Sequence, residues 1–224
     1  DSWSEEDGFN GAGPAVTGIC GSGIIEVISE MFLAGIIDPQ GVIVPSGVER
    51  SPRIVASERT FTYRLHDDIV ITQNDVRAIQ LAKAALRAGI DLLLEHAGLS
   101  EVDEIRLAGA FGAHIDPICA MVLGLTPDCR PESVRAVGNA AGSGAVRALL
   151  SATERNEMEQ VVASITKIET AIEPRFQELF VAALAFPHLN APTPHLATAV
   201  ELPSSAAAGA DPARRRRRRG GTRT

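Results

Sequence analysis

Cysteine is scarce in this sequence and poorly spaced for cross-linking. Cys20, Cys119 and Cys129 are the only three in 224 residues, and no Cys-x-x-Cys pair occurs. So scattered and odd a set argues against a disulfide framework or a zinc cage; it reads as reduced thiols of a cytosolic protein. Long apolar runs are missing too. No stretch of about 18 residues escapes a charge or a helix breaker, so no membrane span is expected. No basic segment followed by an apolar one opens the chain, and a signal peptide is not expected. The first residues, Asp1-Ser2-Trp3-Ser4, lack Met and read as the interior of something longer. No glycine or heptad period persists, which excludes collagen-like and coiled-coil classes. What is present, with 45% hydrophobic content, suffices for one or two ordinary domains.

Positive charge is lacking from most of the chain. The net charge of −7 conceals a split, because residues 1–200 hold 14 basic against 26 acidic residues while 201–224 hold seven Arg against Glu201 and Asp211. A body so acidic could neutralise few phosphates, which argues against a nucleic-acid surface there. Only the end, with Arg214 to Arg219 in a row, could bind RNA or an acidic partner; an inert tail is the alternative. Residues 1–14 read as a ragged lead-in, 15–187 as the folded body, and 188–224 as a disordered Arg-rich tail too poor in apolar residues to offset ordering entropy.

The body alternates strands and helices. Ile24 to Ile36 has a broad apolar helical face, ended by Gly35 and Asp38-Pro39-Gln40-Gly41. Arg53 to Ala56, Thr60 to Leu65 and Ile69 to Thr72 are β-branched segments between polar turns, expected as a meander. Thr72 with Asp75 three residues later is a capping signature. It opens a helix to about Ala97, with Gly98 as the stop. At 1.5 Å per residue that helix is roughly 37 Å long. Its apolar stripe is Val76, Ile79, Leu86, Ile90 and Leu93, with Lys83 on the same stripe. Strands are expected at 104–108 and 133–137, and helices at 115–123, 145–150, 153–167 and 174–185. Such alternation implies an α/β layered domain with part of its sheet parallel.

Three glycine-rich turns stand out: Gly18 to Gly23, which includes Gly21, Ser22 and Gly23; Gly109-Ala110-Phe111-Gly112; and Gly138 to Gly144, which includes Asn139. The last two follow strands, where α/β sheets bind ligands. Bare main chain there lets N–H groups approach a phosphate or a ring closely; the plainer reading is tight turns and close helix–sheet packing. None fits the P-loop or the dinucleotide fingerprint. Asn139 either donates to a ligand or bonds its own turn. Lys83 either snorkels to water, pairs with an acid, or points into a cleft. Cys20, in a glycine-rich turn before a helix, is a candidate nucleophile with His66, His96 or His114 as base; the alternative is a buried, inert thiol. His114-Ile115-Asp116-Pro117 most simply caps a helix, and no metal site is assigned.

The segments ICGSGIIEVISEMFLAGIID, ITQNDVRAIQLAKAALRAGIDLLL, LAGAFGAHIDPICAMVLGLTP, AVGNAAGSGAVRALLS and PRFQELFVAALAFP, in this order, resemble reductive activators of corrinoid proteins. The likeness covers about residues 15–187 and falls in the C-terminal half of that family's actin-like ATPase domain, of the acetate kinase, sugar kinase, Hsp70 and actin superfamily. It implies an α/β, actin-like (ribonuclease H-like) ATPase lobe, incomplete at its N-terminus. It also implies ATP with Mg2+, used to return Co(II) corrinoid centres to Co(I), and an electron from a [2Fe-2S] cluster in upstream sequence. The implied partners are a corrinoid iron–sulfur protein or a corrinoid methyltransferase subunit, and a second copy in a homodimer. Leu107 to Gly112 matches the superfamily's adenosine motif, and Gly138 and Asn139 follow the next strand. A cysteine-nucleophile hydrolase or amidotransferase using Cys20, or a non-catalytic interaction module, are the competing readings.

Overall fold

A computed structural model describes residues 16–49, 51–66 and 68–203. The expected lead-in and the arginine run lie outside the described residues. Helix α1 (Gly21–Leu33) begins at Cys20, whose Sγ accepts from the Gly23 N–H. It ends where Ile36 N donates to Met31 O at 2.8 Å and Gly35 takes φ +67°. Its apolar face, expected from residue 24 onward, buries Ile25, Ile28, Met31 and Phe32.

The three β-branched segments form the expected meander. Strands β1 (Ile54–Ser57), β2 (Thr60–His66) and β3 (Ile69–Ile71) pair antiparallel in sequence order. Helix α2 (Gln73–Ala97) follows with a complete capping box: Asp75 N donates to Thr72 Oγ1, and Thr72 N to Asp75 Oδ2 at 2.8 Å. Gly98 closes it in the left-handed conformation. Strand β4 (Ile105–Ala108), the one-turn helix α3 (Gly109–Gly112) and helix α4 (Pro117–Leu123) come next. The Asp116 side chain caps α4 by accepting from Cys119 N at 2.9 Å. Strand β5 (Val134–Gly138) lies parallel to β4. Helices α5 (Ala140–Leu150), α6 (Ala152–Ser164), α7 (Phe176–Ala182) and α8 (Pro194–Ala199) complete the order.

The core is aliphatic. Ile28, Met31 and Phe32 of α1 share it with Met121, Val122 and Leu123 of α4, and with Ile37, Ile43, Ile71, Val76 and Phe186. No helix among the described residues is long and apolar enough to cross a membrane.

The structure revises three expectations. First, α2 buries Val76, Gln80, Lys83, Ala84, Arg87, Ala88 and Leu92, while Leu86 and Leu93 of the expected stripe are exposed. The buried face is turned because its polar residues find carbonyl partners in the chain after α7: Gln80 Nε2 donates to Leu184 O at 2.9 Å. Second, α5 starts at Ala140 rather than 145, so Gly142 and Gly144 belong to a helix and not to a turn. Third, residues 188–203, expected to be disordered, are folded. His195 N and Leu196 N both donate to the Asp128 carboxylate at 2.9 Å, and Leu196 is fully buried against the core. Composition missed this because the partner lies 67 residues away.

Leu196→Ala is therefore expected to cost about 2–5 kcal/mol, the usual range for a buried leucine, read as a lower urea midpoint. A shift near zero would show that residues 188–203 contribute little to the fold.

Candidate functional site

The parallel pairing of β4 with β5 sets Ala108 opposite Gly138, so two chain reversals lie side by side at the carboxyl ends of the strands. Both reversals use backbone that L side chains rarely adopt: φ is +90° at Gly109 and +63° at Gly138. A Cβ added at either glycine would meet nothing within 4 Å, so open space faces the main chain there. Helix α3 packs against β5 and α1 against α3. The first turn of α1 thereby reaches the same place. The Phe111 ring lies so close to Gly21 that a Cβ at 21 would come within 2.5 Å of it.

The result is a cavity of about 530 Å³ lined by Cys20, Gly21, Ser22, Gly23, Glu26, Ala110, Phe111 and His114. Two of the three glycine turns share its wall, and the third, through Gly138 and Asn139, adjoins it on β5. Half of Phe111 is exposed, offering a flat apolar face. The N-terminal turn of α1 holds no acid, so the partial positive charge of the helix end is unopposed within that turn. Glu26, one turn further along α1, was not singled out from the sequence. Its position four residues after Ser22 on a helix is the signal that places it on the same wall.

The individual side chains divide the readings left open above. Asn139 Oδ1 accepts from Gly142 N at 2.9 Å and so caps α5, leaving its Nδ2 as the remaining donor. Cys20 is exposed rather than buried. The Ser22 hydroxyl at 3.4 Å, followed by the Gly23 N–H, holds its thiol below the usual range. Of the three histidines weighed as its base, His114 lines the cavity; His66 and His96 do not, and His96 sits 3.4 Å from Glu173 instead.

Lys83 is not brought to this cavity. Its ammonium is buried and donates to Ala185 O at 2.5 Å and Pro187 O at 3.1 Å, 5.0 Å from the centre of the Phe186 ring. It is one rung of a polar ladder on α2. Gln80 holds Leu184 O, and Arg87 donates to Asp91 Oδ1 at 2.8 Å and to Thr126 O at 3.1 Å. Sequence spacing carried the signal, since 80, 83, 87 and 91 recur at helical intervals. Burial, with the Arg87 guanidinium alongside, pulls Lys83 from 10.5 to about 7.

Two outcomes follow from these environments. Between about 7 and 10.5 the unfolded chain binds the Lys83 proton and the folded chain does not, so stability rises with pH in that window. Burial raises Cys119 from 9.0 to about 11, which pulls the other way above pH 9. The rise is therefore expected in urea midpoints between about pH 7 and pH 8.5, and Lys83→Met should flatten it; a fall with pH would contradict the assignment. Iodoacetamide at neutral pH is expected to alkylate Cys20 well before the buried Cys119 and Cys129, as peptide mass mapping would show. Equal labelling of all three would refute it.

Comparison with known proteins bears on this geometry. The family model described as the C-terminal domain of RACo, the ASKHA domain, matches residues 5–197. Corrinoid activation enzyme RamQ of Eubacterium limosum is 37% identical over 187 residues, which cover 77% of this chain and 32% of the relative. A solved reductive activator for corrinoid, iron-sulfur protein superposes with a TM-score of 0.69 at 32% identity, covering 77% of this chain and 29% of that one. The chain thus spans about a third of the length of these relatives. With a parallel strand pair, glycine turns gathered at its carboxyl end and a family match across nearly all the described residues, the chain belongs to the α/β, actin-like family of the RACo C-terminal ASKHA domain.

Proposed function

We propose that this chain is the adenosine-binding part of an ATP-dependent activator that returns a Co(II) corrinoid protein to Co(I). The partner would be a corrinoid iron–sulfur protein or a corrinoid methyltransferase subunit. One observation supports this reading above the others: Gly21 to Gly23, Gly109 to Gly112 and Gly138-Asn139 meet at the carboxyl ends of β4 and β5 around one cavity. That is where α/β sheets place ligands. The three free thiols suit a cytoplasmic location.

The residues present fit a nucleoside. The space before Gly109 and Gly138 is open, Phe111 offers a ring face on which a base stacks, and the first turn of α1 offers unopposed helix-end charge to phosphate oxygens. ATP bound there supplies the free energy for an uphill reduction, with Mg2+ held through its phosphates. Among the described residues no cluster of three or more His, Cys, Asp or Glu is placed to hold a metal ion by itself.

The residues do not fit a [2Fe-2S] cluster. Cys119 and Cys129 are buried and both thiols are pushed upward by burial, whereas cluster ligation needs thiolates gathered in one place. The electron that reduces Co(II) therefore enters from a separate donor.

Calorimetric titration of the 224-residue chain with Mg-ATP tests the nucleotide reading. Saturable one-site binding is expected. Phe111→Ala, at an exposed position that should not disturb folding, should weaken it roughly tenfold through lost stacking. Gly109→Val should abolish it, and tight binding by a folded Gly109→Val variant would overturn the assignment.

A further inference from the structure

Helices α5, α6 and α7 contain no fully buried residue. On α5, Leu149 and Leu150 are 77% and 80% exposed, and Val146 on the same face is exposed too. On α6, Val161 and Val162 are exposed, and Ile165 continues that face just past the helix end. Spacings of three and four residues put each set on one side of its helix. The two helices pack against each other and share the single connecting residue Ser151. An amphipathic helix normally turns such a stripe to a core, and contiguous apolar patches beyond a few hundred Å² are rare on monomers.

The neighbouring backbone is unpartnered as well. The chain leaves α6 in extended form, with φ −69° and ψ 126° at Ile165, and no strand pairs with residues 166–168 among the described residues. The β4–β5 pair has two strands only, and Val137 of β5 is exposed. Parallel sheets are almost always larger and covered on both faces.

We infer that the α5–α6 face and the extended segment after it are a docking surface for the polypeptide that, in the two relatives, lies outside the matched part. That partner would bring an apolar layer across Leu149, Leu150 and Val162 and a strand edge to residues 166–168. Each relative holds the matched part within a chain about three times as long, so the bulk needed to cover this face accompanies it there. A second copy is the poorer occupant. Apposing two α6 helices would set Glu154, Glu157 and Glu159 of one against those of the other, with Arg155 the single compensating charge on each. The inference rests on family membership and on this face, not on the nucleotide reading, so the two can fail separately.

Thiol labelling tests it. Leu150→Cys and Val162→Cys, each in a Cys20→Ser background, are expected to react rapidly with maleimide in the 224-residue chain. In a chimera of Eubacterium limosum RamQ whose matched part is replaced by residues 5–197, labelling should slow at least a hundredfold. Equally rapid labelling in a chimera shown to fold by circular dichroism would overturn the inference. If the chimera does not fold, the chain mixed with the separately produced remainder of the relative gives the same readout, and absence of protection there counts against it. A dimer of this chain in sedimentation, lost on Leu150→Asp, would assign the face to a second copy and equally refute the proposal.

Discussion

The register of the parallel pair governs everything at the site. Ala108 stands opposite Gly138, which brings two strand ends to one level and forces two sharp reversals next to each other. Each reversal needs positive φ, so glycine is demanded twice by the same geometry. From those reversals α3 and α5 set out, and α3 in turn presents Phe111 to Gly21. A shift of one residue in this ladder would turn Leu107 to the opposite face and carry Phe111 away from α1. The cavity is thus a by-product of strand pairing, with side chains contributing mainly by being small.

A second constraint is independent of the first. Helix α2 is long, yet the face it buries carries Gln80, Lys83 and Arg87 among alanines. Buried polar groups are costly unless bonded, and here each reaches a main-chain carbonyl: Leu184, Ala185 and Pro187, and Thr126. The chain after α7 has little regular structure of its own, so its carbonyls need donors from elsewhere. The ladder and that chain satisfy each other. This explains why a lysine sits in the interior far from any ligand.

Local signals made much of this legible beforehand. Thr72 and Asp75 announce α2, Gly98 ends it, and the β-branched segments declare the meander, because each of these depends on neighbours within four residues. The glycine turns were visible as candidates, and the likeness to corrinoid-protein activators placed them in an actin-like lobe. What escaped was non-local. Nothing near Leu86 shows that it faces solvent while Lys83 is buried; strap carbonyls about a hundred residues later decide that. Residues 188–203 look too polar to fold until Asp128 is seen gripping them. Glu26 became part of the cavity only through the packing of α3 on α1.

The Asp128 grip carries a meaning for how the molecule is made. Helix α8 covers α4, and Leu196 is the plug that seals the layer between α1 and α4. During synthesis every other piece of that layer leaves the ribosome first. A nascent chain paused short of Leu196 therefore bares an oily socket with its carboxylate latch already in place and waiting, which makes the last steps of translation the moment when this body becomes watertight.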